Sequence, residues 1–555
     1  MCGIFGYIGK GNAYKKVMDG LSLLQYRGYD SCGIAYKTDK FNINKTVGTL
    51  DNLAECGDKT NIAFGHTRWA TNGVVNIENT HPHISHDDRY IIVHNGIINN
   101  ADIIKNNLLD KGISFYSNTD TEVIVNLLTT YPNLEDGIKD LFHQLEGTYS
   151  LIIANEEGDL YLVRKFSPLN LLVGKDGIYI SSDISSLSDG ELYSLKDNDI
   201  IKIHGDKISS LTDNKIEYVS HINNVKKLSL GTYQHYMIKE IKETPEAIKN
   251  TYYHIKDNEN LHIISQFSKF TFIGCGTAYH SCLVGEYFLK NELNLDTETI
   301  LASNYDVKQE IDKNHLHIIV SQSGETADCI KVAEKVKKLG GKILLISNEP
   351  KSTIAKITDF HIFTQAKKEI AVASTKTYCC QVFVFAYMCE LAKNPDYQLE
   401  IDDFVNDLIR YINSIDVSDI SQRLQNIDKM ILIGKDIDYI TLLEASLKIR
   451  EIDYIYTLPM YSGELKHGTL SLIDKDAFVL TLNTSRDKTK LSTAINEIQA
   501  REGKVINFTL DKDVSESFRP IYAVIPFQLI SYQIAVLNGR NPDMPRNLAK
   551  SVTVE

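Results

Sequence analysis

The hydrophobic pattern of the chain changes once, near residues 225–250, and that change limits what it can fold into. From Ile4 to about Val219, short apolar runs such as Ile62-Ala63-Phe64, Tyr90-Ile91-Ile92-Val93 and Tyr149-Ser150-Leu151-Ile152-Ile153 alternate with Gly, Asn and Asp turn signals. That is the pattern of a strand-rich domain with few long helices. After the polar stretch His221–Lys227 and a segment ending near Pro245, the candidate strands Lys269–Gly274, His315–Val320 and Lys342–Ile346 are each followed by a helical segment. Strands alternating with helices imply a parallel, doubly wound sheet. The same order returns with strands at Met430–Gly434, Phe478–Leu482 and Val505–Thr509, so two copies of one fold are predicted. The resulting fold class is multidomain α/β, with domains at 2–225, 251–400 and 401–545, a linker at 226–250 and a tail at 546–555. A length of 555 residues accommodates that many units.

Charge narrows the function. Lys plus Arg number 59 and Asp plus Glu 72, a net charge of −13, which repels polyanions and excludes a general nucleic-acid binder. An anionic substrate would have to be held by local donors such as helix N-termini and hydroxyl-rich loops. The apolar stretch Cys379–Cys389 is interrupted by Gln381 and closed by Glu390, so it reads as a buried helix and not a membrane span. The N-terminal residues Met1-Cys2-Gly3-Ile4-Phe5-Gly6 lack the basic and apolar regions of a secretory signal, and a cytoplasmic location is expected. Nine scattered Cys without a Cys-x-x-Cys pair suit neither a disulfide framework nor zinc, so no metal site is expected.

Cys2 is the cysteine whose position suggests chemistry. Its small side chain lets an aminopeptidase remove Met1, leaving an α-amine beside the thiol that can act as the thiol's own base. Arg68, in His66-Thr67-Arg68-Trp69-Ala70-Thr71-Asn72-Gly73, reads as a fork in a turn-rich loop after a strand, able to hold a carboxylate. His94-Asn95-Gly96, read as following another strand, offers an amide and a backbone N–H for an oxyanion hole. Asn118-Thr119-Asp120-Thr121-Glu122 offers a carboxylate for an ammonium group, or a helix cap. Taken singly, each reads as a turn or cap; together they suit an α-amino acid whose side-chain amide meets Cys2.

These segments, with Tyr26-Arg27-Gly28-Tyr29-Asp30-Ser31, resemble the N-terminal-nucleophile glutaminase domain of the glutamine amidotransferases. The resemblance implies an αββα sandwich in which Cys2 attacks the glutamine carboxamide and Asn95 and Gly96 form the oxyanion hole. It also implies that Arg68, Trp69, Thr71 and Asp120 bind glutamine, and that Trp69, the only Trp of the chain, gates an ammonia passage. Asn72 departs from the His that many relatives carry.

In the second half, Ser321-Gln322-Ser323-Gly324-Glu325-Thr326 ends an apolar strand and opens a helix, the arrangement of a phosphate cradle. The glycine spacings of a nucleotide P-loop and of a dinucleotide fingerprint are missing, so neither ATP nor NAD is indicated. Gly276-Thr277, Ser321 to Thr326 and Val372-Ala373-Ser374-Thr375-Lys376 resemble the sugar-isomerase fold of phosphosugar enzymes, with Ala278 where many relatives have Ser. Joined to the glutaminase, and with Tyr461–Gly468 and the tail Pro545–Glu555, they resemble the isomerising glutamine-dependent aminotransferases. That implies glutamine and fructose 6-phosphate as substrates, with Thr277, Ser321, Gln322, Ser323, Thr326, Val372 and Ser374 at the sugar phosphate. Glu451 would be the base that moves a proton between sugar C2 and C1, Lys448 its assistant and Lys550 the imine-forming lysine. His467 would open the sugar ring from the neighbouring subunit of a homodimer. No cofactor is implied. By spacing alone, Glu444, Lys448 and Glu451 would be solvated ion pairs on a helix. Transfer to phosphoribosyl pyrophosphate is disfavoured, because the paired acids Asp87-Asp88 and Asp402-Asp403 lack the strand-to-loop setting that use requires. A phosphosugar-sensing module would need only the cradle, not Lys550, Glu451 and His467 together.

Overall fold

Two kinds of strand pairing divide the chain in the computed structural model, which describes residues 2–550 apart from 55, 57–59, 223–229, 308–309, 488 and 513. Residues 226–229 of the expected linker and 551–555 of the tail lie outside the described residues. The described residues of 1–229, with those of 546–554, form one unit and those of 230–545 the other.

The first unit is antiparallel. Its larger sheet runs in the order Val219–His221, Gly190–Ser194, Asn170–Val173, Gly177–Ser181, Gly3–Gly9 (β1), Ile62–Arg68 (β2), Ser31–Lys37 and Phe41–Val47. The second runs Lys207–Ser210, Ile200–His204, Leu160–Lys165, Gly147–Asn155, Tyr90–Ile98 (β3) and His83–Ile84. Side chains alternate across each strand. Ile4 and Ile8 of β1 therefore join Phe64, Val93, Ile152 and Leu162 between the sheets. Phe5 and Tyr7 face the other way, packing with Val17 and Leu21 of the helix Ala13–Ser22. On β3, Ile92 turns outward to the helices Ala101–Asp110, Asp120–Leu128 (α1) and Leu134–Gln144. The layers are helix, sheet, sheet, helix, as expected from the resemblance.

The second unit holds two parallel sheets, each starting in the middle and stepping outward. The first has the order Asp296–Leu301, Lys269–Gly274 (β4), His315–Val320 (β5), Lys342–Ser347 and Phe360–Phe363. The second has the order Tyr456–Tyr461, Lys429–Gly434 (β6), Phe478–Asn483 and Lys504–Thr509. The helix after β4 is Thr277–Tyr287 (α2), and that after β6 is Ile437–Lys448 (α3). Even their leading turns match, with φ/ψ of 54°/−128° at Gly276 and 53°/−130° at Asp436. The duplication predicted from strand order is present in the backbone.

The segment read as a linker contains the start of the helix Tyr236–Ile255, whose Met237, Ile241 and Ile248 are buried in the core of this unit. Lys376–Lys393 (α4) is the buried helix anticipated around Cys379–Cys389. The segment Glu516–Leu537 is long and apolar enough to cross a membrane, with a mean hydropathy of 1.5 over its best window, and 72% of that window is buried inside the protein. Phe385 of α4 is fully buried, with its ring edge-on to Phe272 of β4 at 5.5 Å. Phe385→Ala should remove about 3–5 kcal/mol of stability from this core, read as an earlier urea transition of the full chain by tryptophan-independent circular dichroism.

Candidate functional site

Register brings the first set of residues together. Gly3 of β1 pairs with Thr67 of β2, so the residue before it reaches the end of β2. Cys2 Sγ there accepts the Trp69 N–H at 3.3 Å and lies 3.4 Å from the Trp69 carbonyl. Burial pushes the Cys2 thiol up, opposed by the Trp69 backbone bond and the Arg68 charge. The approach is tight: a Cβ on Gly28 would lie 2.6 Å from the Arg68–Trp69 peptide. Arg68 is the last residue of β2 and not part of the following loop, a correction to the sequence reading. It is buried, and its guanidinium donates to the carbonyls of Asn72 and Gly73, the latter at 3.2 Å. Thr71 is exposed on that loop.

His94, Asn95 and Gly96 likewise lie within β3 and do not follow a strand. Asn95 Nδ2 donates to the Cys2 carbonyl at 3.0 Å, which ties the amide to the thiol's own residue. Gly96 has φ +142°, and a Cβ there would fall 1.9 Å from the Thr148 carbonyl oxygen, so the strand accepts only glycine. Thr119 is the N-cap of α1, accepting the Glu122 N–H. That frees Asp120 to accept the Ile98 N–H at 2.9 Å, joining the start of α1 to the end of β3. Cys2, Arg68, Trp69, Asn95 and Asp120 are thus positioned by four elements of one unit, β1, β2, β3 and α1. Trp69 Nε1 donates to the Asn547 carbonyl at 3.2 Å, placing the start of the described tail against this loop.

In the second unit, the cradle sits where expected, after β5 and before the helix Ala327–Lys338. Ser321 Oγ accepts the Gly324 N–H at 3.1 Å and lies 3.1 Å from Thr326 Oγ1. Ser323 Oγ accepts the Glu325 N–H, and Gln322 accepts the Asn348 N–H through its carbonyl. Gly324 has φ +62°, and a Cβ there would meet Ser352 Oγ at 2.1 Å. Two residues expected at the phosphate are held by other contacts: Ser374 donates to Glu369, and the Val372 N–H donates to the Asp543 carbonyl.

The triplet Glu444, Lys448 and Glu451 is not a solvated face. Lys448 and Glu444 are fully buried, and α3 runs on into a wider turn at Ile449–Asp453 that carries Glu451. Lys448 Nζ pairs with Glu444 at 3.2 Å and with Glu451, and donates to Thr277 Oγ1 at 3.1 Å. Thr277 in turn donates to Glu444 at 3.1 Å, and His280 Nδ1 lies 2.7 Å from the other Glu444 oxygen. Burial would neutralise both groups, but Lys448 and His280 hold Glu444 below the carboxylate range, and Glu444 and Glu451 hold Lys448 above its own. Thr277 therefore serves this charge network. The sequence reading missed His280; its signal is the three-residue spacing from Thr277, which puts both on one face of α2. His467 is exposed in the short helix Ser462–His467. Among the described residues, no group of three or more His, Cys, Asp or Glu is placed to hold a metal ion.

Two family models match these regions: a glutamine amidotransferase domain over residues 66–189, and the SIS domain over 263–390 and 423–526. Proteins named glutamine–fructose-6-phosphate aminotransferase [isomerizing] are similar throughout. That from Fusobacterium nucleatum is 36% identical and that from Pyrococcus horikoshii 35%, with 100% of this chain and 100% of each relative covered. The chain belongs to this aminotransferase family. A solved C-terminal domain of glucosamine-fructose-6-phosphate aminotransferase from Francisella tularensis is 28% identical, with a TM-score of 0.51 over 57% of this chain and 100% of that one.

At the two positions noted above as departures from the resemblance, Asn72 and Ala278, the contacts seen are made by main chain. Asn72 meets Arg68 through its carbonyl, so its side chain is immaterial to that contact. Ala278 uses its N–H on Cys275 and its carbonyl on Ser281. Glu444→Gln leaves the buried Lys448 with Glu451 as its remaining counter-charge and should cost about 3 kcal/mol, measured as a shift of the urea midpoint.

Proposed function

We propose that the chain hydrolyses glutamine at Cys2 and uses the ammonia to convert fructose 6-phosphate into glucosamine 6-phosphate, with glutamate as the other product. The observation that carries this is the placement of Cys2 Sγ on the Trp69 peptide with the Asn95 amide at the same residue's carbonyl. Removal of Met1 frees an α-amine, which takes the proton from the buried, up-shifted thiol and later passes it to the leaving ammonia. Asn95 Nδ2 and the Gly96 N–H stabilise the tetrahedral oxyanion. Arg68 takes the α-carboxylate and Asp120 the ammonium, with Trp69 and Thr71 completing the glutamine site. Water then releases glutamate from the thioester.

The division of labour follows 2–225 for the glutaminase, 226–250 for the connection, 251–400 and 401–545 for the two isomerase domains and 546–555 for the tail. Ser321, Gln322, Ser323 and Thr326 bind the sugar phosphate at the carboxyl ends of the strands, where doubly wound sheets take ligands, and Thr277, Val372 and Ser374 join them by exchanging their contacts with Glu444, Asp543 and Glu369 for the ligand. His467 opens the sugar ring from the neighbouring subunit of a homodimer, and Lys550 forms an imine with the open ketose. Ammonia passes the Trp69 gate without release to solvent and displaces the lysine. Glu451 then moves a proton from C1 to C2, with Lys448 beside it. The reaction takes place in the cytoplasm and uses no cofactor.

Cys2→Ala should lose all glutamine-dependent synthesis while sugar-phosphate isomerisation persists; feeding glutamine labelled with ¹⁵N at the amide and weighing the amino sugar checks both the donor and the product. Synthesis from glutamine in that variant would refute the nucleophile. Mixing His467→Ala with Glu451→Ala subunits should restore about a quarter to a half of the activity per heterodimer if the two residues meet across the subunit boundary. Purified heterodimers without activity would place both residues in one chain.

A further inference from the structure

Asp120 and the Asn95-Gly96 pair lie on different elements, α1 and β3, although glutamine hydrolysis needs them at a fixed separation. One residue that the mechanism leaves unused bridges the two. Thr121 is fully buried beside Asp120, and its Oγ1 lies 2.7 Å from His81 Nε2 and 3.0 Å from His94 Nδ1. A hydroxyl has one proton, so it can donate to only one of the two rings and must accept from the other.

The surroundings fix the direction. His94 Nε2 and the Thr148 carbonyl oxygen both crowd the space where a Gly96 Cβ would stand, 2.8 and 1.9 Å from it, although no hydrogen bond joins them. A bare ring nitrogen against a carbonyl would be repelled, so His94 carries its proton on Nε2 and accepts at Nδ1. Thr121 therefore donates to His94 and accepts from His81 Nε2–H. The His94 peptide is held as well: its carbonyl accepts from His66 Nε2 at 3.0 Å, and the His66 ring stacks on His81 with centroids 4.1 Å apart. Burial keeps all three rings neutral, His66 being lowered to about 3. The remaining ring nitrogens, His66 Nδ1, His81 Nδ1 and His94 Nε2, are buried without a hydrogen-bond partner, so the Thr121 hydroxyl and the His94 carbonyl are the groups that hold the three rings.

We propose that Thr121 is a positioning residue for glutamine hydrolysis: its hydroxyl, donated to His94 Nδ1 and accepting from His81, fixes the His94 tautomer and holds the Asn95-Gly96 segment of β3 at a set distance from Asp120 on α1. The proposal rests on the glutaminase reading above. It does not make Thr121 a catalytic residue, since the hydroxyl reaches the reacting atoms only through His94.

The test uses the full chain and its glutaminase rate. Thr121→Val keeps the shape and removes the hydrogen bonds; kcat should fall about 10- to 100-fold, as for a misplaced oxyanion donor, with KM within about threefold. Thr121→Ser should return kcat to within about threefold of wild type. Iodoacetamide should still label Cys2 of Thr121→Val at the wild-type rate, because alkylation needs the thiol and not the oxyanion hole. In ¹⁵N-histidine-labelled wild type, His94 should show a protonated Nε2 and a bare Nδ1, a readout that does not depend on how the variants fold. Thr121→Val at the wild-type rate, Thr121→Ser no better than Thr121→Val, or His94 protonated on Nδ1 in wild type would each overturn the proposal. Failure of the underlying reading gives a different result, namely Cys2→Ala that still hydrolyses glutamine.

Discussion

A polar group taken out of water must be answered by another part of the same chain, and Lys448 shows how much structure that rule organises. Its ammonium is fully buried, and removing one partner from a buried pair costs about 3–5 kcal/mol. Glu444 one turn back on α3, Glu451 on the widened turn and Thr277 at the start of α2 together supply what water would have given. Because Thr277 belongs to the first sheet's leading helix and Lys448 to the second's, the charge can be buried only when both copies of the fold are formed and packed. His280 closes the set from α2.

The glutaminase unit buries neutral rings beside its buried charges Arg68 and Asp120. Imidazoles at 66, 81 and 94 each lose charge on burial and share hydrogen bonds with a backbone carbonyl or the Thr121 hydroxyl. Backbone geometry does the remaining positioning: the register of β1 against β2 carries Cys2 to Trp69, and two positions without a Cβ, Gly28 and Gly96, let main chains meet closely around it.

What was legible in the sequence follows from where water lies. Runs such as Tyr90–Val93 and His315–Val320 are buried on both faces and stand out as apolar. The strands Asp296–Leu301 and Tyr456–Tyr461 sit at sheet edges and are partly exposed, the second with Pro459 on its path, so neither produced a run to read. The helix Tyr236–Ile255 was hidden for a similar reason: charged residues and an internal Pro245 disguise a face that is buried. At the candidate sites, residue types and spacing singled out Cys2, Asn95 and the cradle, but a one-dimensional pattern places strand ends badly when polar residues continue the pleat, as Arg68 and His94 do. The pairing of His280 with Glu444 spans 164 residues and depends on how α2 packs on α3, which no local pattern records.

The matched turns before α2 and α3 differ in one respect. Gly276 adopts its left-handed backbone without penalty, whereas Asp436 holds nearly the same angles with a side chain, a conformation that costs about 1–3 kcal/mol outside glycine. Its carboxylate is tied to Lys490 at 2.6 Å, which offsets part of that strain. The second copy is thereby caught in a ratchet. Changing Asp436 to glycine would relax the backbone and orphan the lysine, while changing the lysine first would leave the strain uncompensated. The two halves share one shape but not one freedom to change it, and the half without the glycine is the less free.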